Sequence, residues 1–300
     1  MVIVTPSDAV RKDEVWAASP RRLSGHGYRT LAQRAQELAD EATRGGTFDE
    51  YAEGGVVAEV EAQLRELLGA QAAVLMPSGT LAQQVALRIH ADDRDATRVA
   101  MHPTSHPRLW EEQALEHVQH LDGARLWQCG PAYAPRSLAD VVAMADTTYL
   151  SLYKDLGATA GAVLLCPEAR AAEVRTWRHR LGGTQPALWP IALGARQGLR
   201  ERLPRMPAFV AAAQALAAVV ETVEPVRAAM LHVLLNGDPQ RLADACVEVS
   251  AQSGVWLAGG LRPGPREATA VLEISVGEAT LQVPPEEAAT LLARVSDLAG

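Results

Sequence analysis

Short apolar runs alternate with amphipathic helical periods through the middle of this chain, and that alternation restricts it to a layered α/β fold. The run Ala72-Ala73-Val74-Leu75-Met76 is closed by Pro77-Ser78-Gly79-Thr80, and helical spacing begins at Leu81. Before it, Val57, Val60, Leu64, Leu67 and Leu68 recur at helical spacing with Glu59, Glu61, Arg65 and Glu66 between them, and Gly69 stops that helix. Arg98 to His102 reads as another strand, followed by a helix from about Leu109 to Glu116. Val118 to Trp127 reads as a strand, and helix signals run from Ser137 to Ala145. In the next strand Tyr149, Ser151 and Tyr153 alternate with Leu150 and Leu152, and Gly161 to Cys166 is a further apolar run ended by Pro167. A charged helix from Glu168 to Arg180 and helical segments to about Val220 follow.

From Pro225 the pattern changes. Met230–Leu235, Gly254–Leu257 and Ala270–Val276 read as strands, with helices from Gln240 to Gln252 and from Pro285 to Leu298. The chain is expected to divide into an N-terminal arm and helix (1–47), a large domain (48–210) and a small C-terminal α+β domain (211–300).

Composition narrows the function. A net charge of −8 argues against nucleic acid as the main partner, because phosphate binding needs basic surface. Cys129, Cys166 and Cys246 are too few and too widely spaced for a disulfide framework or a zinc motif, so a reducing cytoplasm is expected. The N-terminus lacks an apolar signal core, and the uncharged run Met206 to Val220 is too short and alanine-rich to span a bilayer. A soluble protein without a membrane partner is expected.

Four features carry candidate chemistry. The chain has two lysines, Lys12 and Lys154, although arginine is abundant. A lysine amine can lose its proton and form a Schiff base, which a guanidinium cannot. Lys154 follows a strand and enters a glycine-bearing turn; a plain surface lysine is the other reading. Ser78, Gly79 and Thr80 lie where a strand meets a helix N-terminus, so they either cap the helix or receive a phosphate. His106 lies in the loop at a strand's carboxyl end, where open parallel sheets place ligands. Asp122 ends a strand just before Arg125, and a cap or a local ion pair would explain it equally well.

Four pieces in one order carry a resemblance: Tyr51 before an amphipathic helix, Pro77-Ser78-Gly79-Thr80-Leu81-Ala82, His120-Leu121-Asp122-Gly123-Ala124-Arg125-Leu126, and Lys154-Asp155-Leu156-Gly157-Ala158. Together they resemble the threonine aldolase and β-eliminating lyase family of fold-type-I pyridoxal-phosphate enzymes. The resemblance covers about residues 48 to 185. It implies an aspartate-aminotransferase-like large domain with a mostly parallel sheet, and a small C-terminal α+β domain. It further implies pyridoxal 5′-phosphate as cofactor and a homodimer or homotetramer with Tyr51 reaching a neighbour's site. Lys154 matches the Schiff-base lysine, and Asp122 the carboxylate that keeps the pyridine nitrogen protonated. Ser78, Gly79 and Thr80 match the phosphate site, His106 the imidazole stacked on the ring, and Arg125 the partner of the substrate carboxylate. The activity implied is cleavage of a threonine-like β-hydroxy-α-amino acid to glycine and an aldehyde, or a related β-elimination. The same scaffold acting on another amino acid, or a silent homologue used for assembly, are the alternatives.

The chain departs from the family in three places. Only residues 107–121 separate the segments matching His106 and Asp122. At about 30 residues per βαβ unit, something on the order of 60 residues is absent there. A chain break between Val118 and His120, or a sheet closed up around the deletion, is therefore expected. Leu181-Gly182-Gly183-Thr184-Gln185 also leads to Pro186 where the family has an arginine for cofactor phosphate, and Ala270 to Val276 offers no clear counterpart to the family's C-terminal carboxylate arginine.

Overall fold

The structure is a computed structural model that describes residues 6–95, 120–257 and 260–300. The expected strand at 98–102, the helix at 109–116, His106 and the expected break between Val118 and His120 lie outside the described residues. In chain order the elements are α1 (Pro6–Ala18), β1 (Arg21–Arg22), α2 (Leu31–Ala42), α3 (Gly55–Leu68), β2 (Ala72–Met76) and α4 (Gly79–Arg94). Next come β3 (His120–Gly123), the short helices α5 (Gly130–Tyr133) and α6 (Leu138–Val142), β4 (Thr147–Ser151), β5 (Ala162–Cys166), α7 (Ala171–Arg180) and α8 (Trp189–Glu201). The last are α9 (Met206–Ala217), β6 (Met230–Asn236), α10 (Pro239–Ser253), β7 (Val255–Trp256), β8 (Leu261–Pro263), β9 (Thr269–Ser275) and α11 (Pro285–Ala299). They form two compact units, one of residues 29–205 and one of residues 1–28 with 206–300.

In the 29–205 unit the described strands form one sheet in the order β2-β5-β4-β3. β3 and β4 are parallel, and β5 is antiparallel to both β4 and β2. Three of these four strands therefore run in one direction. The apolar runs are as buried as their composition requires: every residue of β2, β4 and β5 is buried. Side chains alternate across the sheet. Val74, Met76, Tyr149 and Leu164 join Leu81, Val85 and Ile89 of α4 and Val174 of α7 in one core cluster. Each buried aliphatic side chain contributes roughly 1.5–3 kcal/mol. On α3, Val57, Val60, Leu64 and Leu68 form the buried stripe, and Gly69, at φ 61°, ends the helix in the left-handed conformation its carbonyls require.

An open strand edge leaves backbone groups unpaired. Among the described residues β2 pairs with β5 on one side only, and side chains serve the other. Glu61 of α3 accepts from the Leu75 N–H at 2.8 Å, and Arg178 of α7 donates to the Leu75 carbonyl at 2.9 Å. Arg175 holds the same Glu61 carboxylate at 2.9 Å. Glu61→Ala would strand an N–H and a partly buried guanidinium together. It is expected to lower the unfolding free energy by about 2–3 kcal/mol in urea melts, while a change within about 0.5 kcal/mol would rule out this edge role.

The other unit is built on a three-stranded antiparallel sheet in the order β6-β9-β8. α10 packs against α11, and α9 packs against α11 and β6. Asp238 caps α10 by accepting from the Gln240 and Arg241 N–H groups, ahead of Pro239 at the first helical position. The strand and helix positions expected beyond Pro225 agree closely with these elements.

The N-terminal segment differs from the expected arm over 1–47. It contains two helices, and it divides between the units after Tyr28. α1 packs on α10, β1 pairs in parallel with β7, and Arg21 forms two 2.8 Å hydrogen bonds with Glu287 of α11. α2 instead packs on α8, where the buried Glu41 carboxylate takes Arg196 and Arg200, each at 2.7 Å. At the other boundary, α9 belongs with the C-terminal unit, which starts at Met206 rather than at 211.

Candidate active site

The parallel strands set the site. In register, Met76 lies opposite Ala162 and Ala162 opposite Ser151, so β2 and β4 finish on the same sheet edge. Gly123 pairs with Leu150, which puts the end of β3 there too. Three chain exits follow from that edge: β2 into α4, β3 into Arg125, and β4 into Lys154. This is the carboxyl edge, where open α/β sheets bind ligands.

β4 ends at Ser151, so Lys154 lies three residues beyond the strand rather than within it. The loop that carries it is closed by backbone bonds, from Leu152 N–H to Gly161 O at 3.1 Å and from Ala158 N–H to Leu152 O at 3.0 Å. Arg202 donates to the Leu156 carbonyl at 2.8 Å and Arg34 to the Gly157 carbonyl at 3.2 Å. The Lys154 N–H lies 3.3 Å from Ser151 Oγ. Lys154 itself is half-buried, on a backbone clamped from several sides.

Asp122 pairs in register with Tyr149, one strand away. Its Oδ1 accepts the Ala124 N–H at 3.0 Å, which sets the direction of the carboxylate. Gly123 must be glycine, because a Cβ there would overlap the Tyr149 carbonyl and Leu150. A second close approach joins α4 to the same place. The Tyr149 phenol packs on Gly79, where a Cβ would collide with the ring. Ser78 is the N-cap of α4 and accepts from Leu81 N–H at 3.2 Å, while Thr80 is exposed on the first turn. Gly183 of the Leu181–Thr184 turn packs against Leu81 beside it.

After β3 a short 3-10 turn, Leu126–Cys129, folds back toward the Lys154 loop. Trp127 donates to the Ser151 carbonyl at 2.8 Å. Arg125 Nη1 and Gln128 Nε2 lie 3.2 Å and 3.0 Å from Asp155 Oδ1. Burial pushes the Asp155 carboxyl up to about 6 in spite of Arg125. Burial, reinforced by Asp155, pushes the Cys129 thiol up to about 11, so it stays protonated and unreactive at neutral pH.

The structure thus brings together the chain exits bearing Ser78, Gly79, Thr80, Asp122, Arg125 and Lys154. Tyr51 is placed otherwise. It is exposed, with its N–H 3.2 Å from the Pro186 carbonyl, and it lines an open cleft of about 970 Å³ with Arg178 and Thr184. None of the six residues at the sheet edge lines that cleft. The Tyr51 loop is held by Asp49, whose buried carboxylate accepts the N–H groups of Ala52, Leu188 and Trp189. His120 and His90 both bond Thr147 Oγ1, at 2.8 and 2.9 Å, at the amino-terminal end of β4. Burial pushes His120 down to about 3 and lowers His90 too, so both imidazoles are neutral and remote from the carboxyl edge.

Asp155, Gln128 and Tyr149 are the parts of this arrangement that were not anticipated. Asp155 carried a signal, an acid directly after the lysine; Gln128 and Tyr149 gained roles only when β3 and β4 came together.

The model of the beta-eliminating lyase family matches residues 30–120 and 116–238, in two segments that meet where the connection before Asp122 is short. The chain belongs to the beta-eliminating lyase family. Among solved structures it is similar to a candidate L-allo-threonine aldolase of Listeria monocytogenes EGD-E, at 26% identity, over 96% of this chain and 99% of that one, with a TM-score of 0.83. A candidate aromatic amino acid beta-eliminating lyase/threonine aldolase of Exiguobacterium sp. 255-15 gives the same identity, coverages and TM-score. The fold alone is shared with a structure of SPT with PLP, at 14% identity, over 93% of this chain and 86% of that one, with a TM-score of 0.60. The fold is that of the fold-type-I pyridoxal-phosphate enzymes. No curated protein matched the chain.

Proposed function

We propose that this chain is a pyridoxal-phosphate-dependent carbon–carbon lyase that cleaves a threonine-like β-hydroxy-α-amino acid to glycine and an aldehyde. The observation that carries this reading is the exit of Asp122 and Lys154 from the carboxyl ends of adjacent parallel strands. Membership of the beta-eliminating lyase family and two 26%-identical structures described as threonine aldolases support it.

The residues present fit the cofactor. Lys154 offers a primary amine on a fixed loop, Asp122 a carboxylate with one oxygen already oriented, and α4 a helix N-terminus with Thr80 on its first turn. Lys154 would hold the cofactor through its amine, a group that can also carry a proton. Asp122 would keep the ring nitrogen protonated, and the N–H groups around Gly79 and Thr80 would receive the phosphate. Ser78 Oγ already serves the Leu81 N–H, so its part is to hold the turn. Bound pyridoxal phosphate supplies the electron sink for charge left on the α-carbon. Arg125 would take the substrate carboxylate. His106, outside the described residues, would receive the β-hydroxyl proton.

The separate cleft containing Tyr51 suits a homodimer or homotetramer in which Tyr51 serves a neighbouring copy. We place the protein in the cytoplasm; none of the helices among the described residues is long and apolar enough to cross a membrane. Thr184 and Pro186 stand in the turn where the resemblance has an arginine, which favours a second reading, another amino acid on the same scaffold. The deciding experiment is a titration with pyridoxal phosphate followed by an assay of glycine release from threonine and phenylserine. Long-wavelength absorbance with glycine release is the expected outcome. Absorbance without it selects the second reading, and no absorbance overturns both.

A further inference from the structure

Asp155 is an expensive residue to keep where it is. It is 6% exposed, and its Oδ2 has no hydrogen-bond partner among the described residues. Leaving a buried carboxylate half satisfied costs stability unless the group serves another purpose. Its one engaged oxygen, Oδ1, takes Arg125 and Gln128, both on the segment that follows Asp122. The contact therefore ties the arginine of one strand exit to the lysine loop of the next.

We propose that Asp155 is the positioning residue for Arg125, holding its guanidinium at the carboxyl edge so that it meets the carboxylate of an α-amino acid. This rests on the amino-acid lyase reading given above. An arginine presents its N–H donors as a planar fork, so one guanidinium can bond two carboxylates on different edges. A long side chain loses its rotational freedom when it is frozen on binding. Asp155 imposes that loss in the unbound protein.

Among the described residues, the groups that face Asp155 are Arg125, Gln128, Lys154 and Cys129. Of these, Arg125 and Lys154 favour its ionised form, and burial opposes it. The carboxyl is raised to about 6, so it is ionised above that pH and loses its charge as the pH falls through it. The ion pair between Asp155 and Arg125 is then lost on the acid side.

The test is equilibrium binding of glycine to the cofactor-loaded protein, read from the visible spectrum, against methylamine, which has the amine but no carboxylate. In Asp155→Asn, glycine is expected to bind about 10-fold more weakly and methylamine as before, with the lysine-bound cofactor absorbance retained. Arg125→Ala is expected to weaken glycine at least as much, and adding Asp155→Asn to it to cost nothing further. In the unsubstituted protein the glycine-to-methylamine affinity ratio should fall below about pH 6. This second measurement stands even if the variant does not fold. Tighter glycine binding in Asp155→Asn would mean that Asp155 competes with substrate, and a ratio flat from about pH 8 to 5 would remove it from carboxylate recognition. Either result overturns the proposal. Absence of cofactor absorbance in the unsubstituted protein would fail the lyase reading instead, a distinguishable result.

Discussion

Lys154→Ala is expected to abolish the long-wavelength absorbance that pyridoxal phosphate would give with the unsubstituted chain, and to lower turnover by at least about 10³-fold, or about 4 kcal/mol at 1.4 kcal/mol per decade. The size of the effect follows from what else could take the place of the amine. The chain has one other lysine, Lys12, which is exposed on α1. Arginine is plentiful but stays protonated and cannot form the imine. The Lys154 loop is clamped by its own backbone bonds and by Arg34 and Arg202, so truncating the side chain leaves the fold in place. Loss of absorbance with an unchanged thermal melt is therefore expected. A variant that keeps the band would place the cofactor amine elsewhere and end the assignment.

The parts of this arrangement that were legible in the sequence are those fixed by local chemistry. The period of two in Thr148 to Tyr153 marks β4, although it cannot say that pairing stops at Ser151. Gly69 and Ser78 announce a helix end and a helix start because each supplies what the backbone needs there, a left-handed residue and a hydroxyl acceptor. The reading of Ser78 as a cap proved correct at the level of hydrogen bonding, whatever else the turn receives. α1 was not legible as a helix because Arg11 to Glu14 are four charged residues in a row, and its support comes from α10, far along the chain. Asp49 shows the same limit. Its carboxylate serves Leu188 and Trp189, about 140 residues away, and no local pattern encodes that. Asp155 was visible as a letter beside the lysine, but its meaning needs Arg125 to be carried to it by the pairing of β3 with β4.

Asp122→Asn is the second large effect expected, and it separates holding the cofactor from activating it. Asparagine keeps the size of the side chain and its carbonyl oxygen can still accept the Ala124 N–H, so the turn after β3 should survive. What it cannot do is stabilise a positive charge on a ring nitrogen. The lysine and the phosphate site would still bind pyridoxal phosphate, and the absorbance should appear at a moderately higher cofactor concentration. Turnover, however, needs the ring to accept charge from the α-carbon, and removing one charged stabiliser at such a point costs roughly 10²- to 10³-fold. The signature is a bound cofactor with little glycine release, opposite to Lys154→Ala, in which the absorbance itself disappears. Register gives the reason for confining this role to one carboxylate: Asp122 leaves the strand next to β4, whereas Asp155 is turned to Arg125 and Gln128. Full turnover in Asp122→Asn, with the absorbance intact, would show that the ring nitrogen finds its proton without this carboxylate.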